Sequence, residues 1–181
     1  MSRRSSSRGL LATNVVAGLV GGLVASYVME RFRAALSKLS EDEQRQSQDE
    51  PATYKAADAA SRAIIGHGVR REDKPFAGSI VHYAFGGAVG AIYGAAAAQR
   101  HQITAWGGVP FGATLWLVAD EIGVPAAGLS RAPTEYPLSN HLSAFAAHLV
   151  YGATTETVRK LLTLRASRGG PRADVPRTGA G

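Results

Sequence analysis

The sequence predicts an all-α protein: a four-transmembrane-helix bundle with a polar, partly helical link between helices 1 and 2. Three observations predict it. The charges are segregated, with no Asp, Glu, Lys or Arg in 9–29, 75–99, 101–119 or 136–155. Each charge-free window holds about 20 residues, which at about 1.5 Å per residue matches a hydrocarbon core of roughly 30 Å. The windows are also rich in Gly and Ala, often at fourfold spacing, which lets helix backbones approach closely within lipid. One such window also fits a buried core helix, four are hard to fit into a soluble domain of 181 residues, and the rival reading is a soluble, Ala-rich helical protein.

The elements are taken in chain order. Residues 1–9 are a disordered, basic, serine-rich head. The first span covers 10–29. It opens like a secretory leader, and Arg3-Arg4 resembles a twin-arginine signal. Its length, its YVMERFR end and the lack of a small-x-small cleavage site speak against removal. Gly18 and Gly22 form a packing stripe on this span. The polar link, 31–74, carries most of the acidic residues. Asp49 before Pro51 marks a helix start there, AADAASRAII makes a short surface helix, and Gly66-His67-Gly68 ends it with His67 solvated.

The second span covers 76–98. His82, Gly86, Gly90 and Gly94 recur every four residues, so His82 shares a smooth glycine face meant for another helix. The third span covers 103–121. Trp106 anchors its start, Pro110 kinks it, and Asp120 and Glu121 end it. Three prolines make 122–138 an irregular surface segment. The fourth span covers 139–162, with Arg159 and Lys160 at its far end. The tail, 164–181, is basic, Gly/Pro-rich and disordered.

Topology then concentrates the titratable groups. Four spans place the end of the first, the start of the second, the end of the third and the start of the fourth on one side. Those ends carry Glu30, His82, Asp120, Glu121, His141 and His148. The other side carries little beyond Glu156 and His101. On the fourth span His141, Phe145, His148, Gly152 and Glu156 share one face.

Histidines beside carboxylates relay protons, respond to pH or hold a divalent metal. No recognised metal spacing is present, and haem ligation by His82 and His148 is a minor alternative. The bland alternative is that Asp120 and Glu121 cap the bilayer with Arg131 as partner, and that His82 is a neutral ring bonded to a neighbouring helix.

The net charge of +6 does not imply nucleic acid, because the basic residues flank the apolar windows rather than forming a stripe with aromatics. Without cysteine there is no disulfide, thiolate or Cys-based metal site. No nucleophile motif, phosphate loop or dinucleotide fingerprint is present. No cofactor or metal is expected. The expected partners are the lipid bilayer and either a second copy of the chain or another membrane protein.

LWLVADEIGVPAAGLS, a proline-rich link ending in YP, and HLSAFAAHLVYGATTETVRK together resemble the YagU-like family of bacterial membrane proteins. The likeness is best over 103–160 and looser over GLVGGLVASYVMERF and HYAFGGAVGAIYG. It implies a multi-spanning protein of the bacterial inner membrane with no established activity, and brings no catalytic residues. The expected function is proton sensing or envelope homeostasis by the His/carboxylate cluster. The alternatives are a proton-coupled transporter or channel subunit acting as an oligomer, and a membrane-embedded cofactor or metal protein. Basic residues divide evenly between the two sides, so charge leaves the orientation open.

Overall fold

The computed structural model describes residues 2–38 and 50–168, and within these not the side chains of 2–7 or of His101. Asp49 and most of the acidic run 41–50 therefore lie outside the described residues, as does the tail beyond Arg168. The described chain is helical, with no strands among those residues. Helix α1 is Ser2–Leu36, α2 is Ala52–Ile65 and α3 is Lys74–Gln99. After a 3₁₀ segment, His101–Gly108, comes α4, made of an α turn Val109–Leu115, a wide π segment Trp116–Gly123 and a last turn Val124–Ala126. A short turn at Pro133–Glu135 leads to α5, Leu138–Arg168.

Helix α1 packs against both α3 and α5, α4 packs on α5, and α2 lies on α3. Glycine sets the first interface. Side chains on Gly18 and Gly22 would overlap backbone of Gly90, Gly94 and Gly86, and one on Gly86 would overlap the Ser26 hydroxyl. Rising numbers on α1 meet falling numbers on α3, so the two run antiparallel. The α4–α5 interface is built the same way from Gly108 and Gly112 against Gly152 and the His148 carbonyl. Gly21 of α1 faces the Thr155 carbonyl of α5, 2.7 Å from where a Cβ would stand. With no side chain between them, the backbones come close enough for dispersion to act along their length.

Around these contacts lies a small core of Ala25, Met29, Ala147 and Tyr151, flanked by Phe32, Phe111 and Leu115. The Tyr93 and Phe111 rings stack at 4.2 Å, joining α3 to α4, and the Tyr151 hydroxyl donates to the Gly86 carbonyl at 2.6 Å, joining α5 to α3.

Helix α2 starts after Pro51 and ends at Gly66, whose φ of 81° is the left-handed geometry of a glycine cap. Tyr54 covers Gly78 of α3. The Asp58 carboxylate accepts from Arg62 Nε and from the Val69 amide, both at 2.8 Å, and ties the following turn down. Those two donors hold the Asp58 carboxyl below the usual carboxylate range.

Three expectations are corrected. The third span, 103–121, is not one helix: Ala105 is extended and Trp106, Gly107 and Gly108 have positive φ, so the chain turns before Val109. Pro110 does not kink a helix but occupies its first turn, where its missing N–H has no role. Nor is 122–138 irregular throughout, because helix continues to Ala126, with Pro125 again tolerated at the start of a turn. In addition, α1 is helical from Ser2, ahead of the expected start at residue 10.

Two helices, Arg8–Leu36 and Lys74–Gln99, are long and apolar enough to cross a membrane.

Candidate functional site

The sequence places Asp120 and Glu121 side by side, and in an ordinary α-helix neighbours point about 100° apart. Here they lie in the π segment, a wide turn often found at functional sites. Both carboxylates reach α5. Glu121 Oε1 lies 2.8 Å from His141 Nδ1, and the other ring nitrogen of His141 lies 3.0 Å from the Pro133 carbonyl. Only a ring protonated on both nitrogens donates to both acceptors at once.

Asp120 Oδ2 lies 3.6 Å from His148 Nδ1, an ion-pair distance rather than a hydrogen bond. The same nitrogen is 2.9 Å from the Ala144 carbonyl of its own helix. The His148 side chain is 8% exposed and that of Asp120 35%. A buried imidazole therefore meets a partly buried carboxylate. Arg33, Glu121 and His82 also lie within electrostatic reach of Asp120.

The other expected residues occupy the same end in separate contacts. His82 Nε2 is 3.3 Å from the Ser26 carbonyl across the α1–α3 seam. Glu30 accepts from the Tyr83 hydroxyl at 2.8 Å. Arg131, expected beside the carboxylates, has its guanidinium 5.0 Å from the Tyr136 ring centre. Trp116, at the start of the π segment, meets Phe145 edge to face at 5.0 Å, and its buried indole N–H has no acceptor among the described residues. No three His, Asp or Glu side chains among the described residues lie close enough to hold one metal ion.

A second polar cluster fills the opposite end. Arg159 donates through Nε and a terminal nitrogen to both oxygens of Glu156, at 2.7 and 2.8 Å. Its other terminal nitrogen donates to Asn14 Oδ1 at 2.6 Å, and the Tyr93 hydroxyl donates to Glu156 at 3.0 Å. Asn14, Glu156 and Arg159 are buried. The group joins α1, α3 and α5, and sequence reading missed it. A signal was there: Glu156 and Arg159 are three apart, and Asn14 interrupts an apolar run that has no other amide.

A family model, described as "Protein of unknown function (DUF1440)", matches residues 65–157. The chain belongs to the DUF1440 family. The part of this DUF1440 chain that matches runs from the end of α2 to Thr157 and includes Asp120, Glu121, His82, His141, His148 and Glu156. Helix α1, with Asn14, Gly18, Gly22 and Glu30, lies before the match, and Arg159 lies just after it. No curated protein and no solved structure matches the DUF1440 chain.

Proposed function

We propose that this DUF1440 protein is a multi-pass membrane protein in which α1, α3, α4 and α5 cross the bilayer, and that its two carboxylate–histidine pairs make the α4–α5 contact respond to protons. Support for the membrane part is a packing turned inside out. The interior is mostly Gly, Ala and polar groups such as Ser26, Thr155, Asn14 and Glu156, with Met29, Tyr93 and Tyr151 as its few large side chains. Leu19, Val16, Ile80, Phe85, Ile92 and Leu142 point outwards instead. In water that arrangement wastes the hydrophobic effect, whereas in lipid small residues inside and large apolar residues outside are the favoured order.

The apolar stretches of α1 and α3 are only 39% and 33% buried, unlike core helices of a soluble protein. Helix α1 supplies two of the main interfaces, which argues against a removed leader. Helix α4, Val109–Ala126, is about 27 Å long at about 1.5 Å per residue. The turn at 101–108 precedes it, with Gly108 covered by Gly152. The likeness to YagU-like proteins extends the proposal to the bacterial inner membrane.

The observation that carries the proton response is that two adjacent carboxylates each meet a histidine of one facing helix. Titration of either member changes the attraction across that seam, and histidine titrates between about pH 5 and 8. Trp116, on the same segment, is a native reporter. In a Trp106→Phe background its emission should shift between about pH 5 and 8. The shift should be reduced in both Asp120→Asn and His148→Ala, which leave the Glu121–His141 pair in place; an unchanged shift in both rejects the proton reading. Proton flux in proteoliposomes over the same range separates a sensor from a transporter. Flux that Asp120→Asn abolishes would establish transport, with Asp120 on the path.

A further inference from the structure

We propose that the groove between α1 and α5, at the end opposite the carboxylate–histidine pairs, binds one anionic phospholipid. An acyl chain lies along the groove and the phosphate is held by Arg8 and Arg165. The inference rests on the membrane reading above but not on the proton response.

The groove is lined by Ala12, Thr13, Val16, Ala17 and Val20 of α1 and by Leu162 of α5. It is apolar, and from Ala12 to Val20 it runs about 12 Å along the helix axis, enough for part of one chain. The two helices are antiparallel with a fixed register: Asn14 bonds Arg159, and Gly21 faces Thr155. That register sets Arg8 opposite Arg165 at the mouth of the groove. Arg8 also shares the fourfold row Ala12, Val16, Val20, and Arg165 comes three residues after Leu162, so each stands over its own wall of the groove.

Charge complementarity names the occupant. Both arginines sit on exposed positions. Lys160 and Arg168 also belong to this part of α5, and among the described residues the acid of this end, Glu156, is already engaged by Arg159 on both oxygens. Two arginines over an apolar trough suit a phosphate with a hydrocarbon tail, because the guanidinium forks onto phosphate oxygens in pairs. A zwitterionic lipid brings a compensating cation to the same place and loses the advantage.

The test uses the full chain in detergent, with phosphatidylglycerol and phosphatidylcholine of identical acyl chains, read by native mass spectrometry. Wild type should retain one phosphatidylglycerol in preference to phosphatidylcholine. Arg8→Gln/Arg165→Gln should weaken phosphatidylglycerol retention by roughly 25-fold, about fivefold for each arginine. Val16→Trp, at an exposed position that fills the groove, should weaken it with both arginines present. Equal retention of the two lipids by wild type overturns the proposal, as does a preference untouched by the double substitution or by Val16→Trp. Alkaline extraction of membranes carrying each variant keeps the two readings apart. A chain that resists extraction but shows no headgroup preference fails the lipid site alone, and a chain that is extracted fails the membrane reading.

Discussion

Glu156 and Arg159 show what a single residue can hold. Burying an ion pair gains little over an apolar pair, but removing one partner strands the other charge. Arg159→Ala leaves Glu156 buried with only the Tyr93 hydroxyl to serve it, and should cost about 3–5 kcal/mol. Glu156→Leu/Arg159→Leu should be markedly milder than Arg159→Ala. Thermal unfolding in detergent, followed by circular dichroism, checks the order; a double variant no better than the single one contradicts it.

Asp58 gives a different kind of residue prediction, one that depends on pH. Its folded carboxyl titrates below the unfolded value of about 3.9, because Arg62 and the Val69 amide donate to the anion. Its contribution is therefore present above about pH 4 and is lost as pH falls through the folded pKa. Asp58→Asn should free the turn at 66–73 already at neutral pH, seen as faster exchange of the Val69 amide, while wild type shows this only in acid. Equal exchange in both at neutral pH would refute it.

At the scale of the element, α4 is the helix that departs most from its sequence pattern. The charge-free run announced a helix, and α3 keeps closely to its own run, whereas α1 extends beyond its run at both ends and α5 continues to Arg168, past the expected end at 162 and into the expected tail. For α4 the run could not show where helix begins, because Ile103 to Gly108 is as free of charge as Val109 to Val118. The break depends on three consecutive positive-φ residues, one of them Trp106, 86% exposed and in a region costing a non-glycine residue about 1–2 kcal/mol. Hydropathy carries no record of that.

The π segment was equally hidden, since nothing in WLVADEIG separates a wide turn from an ordinary one. It matters for the site, because it lets neighbouring carboxylates serve two histidines of one helix. Deleting Val118 should restore an ordinary turn and rotate the N-terminal part of α4 relative to the part carrying Asp120 and Glu121. The protein should still fold, but the Trp116 response to pH should disappear. A deletion variant with the wild-type response would show that the wide turn is incidental.

The whole molecule was legible where topology alone decides. An alternating path of helices forces Glu30, His82, Asp120, Glu121, His141 and His148 to one end, and they are found there. Pairing was not legible: which carboxylate meets which histidine depends on helix rotation, and so does the meeting of Asn14 with Arg159 across 145 positions. The two ends also define a test of the membrane arrangement. The chain has no cysteine, so single cysteines report cleanly. Thr134→Cys, in the link beside His141, and Ser167→Cys, at the end of α5, should react with an impermeant maleimide from opposite sides of a sealed vesicle. Labelling of both from one side would exclude the crossing arrangement.

The glycine seams and the interior of Ala, Ser26 and Thr155 bear finally on how the protein answers to temperature. Unfolding a water-soluble domain wets its apolar core, which raises the heat capacity and bends the stability curve into a dome. On the membrane reading most large apolar side chains already face outwards, and separating the helices uncovers backbone and small groups along the glycine seams together with a few larger contacts around Tyr93, Phe111 and Tyr151. The heat-capacity change should therefore be small for a chain of this size and the stability curve nearly straight. Cooling, which weakens a hydrophobic core, should leave these helices held as firmly as before.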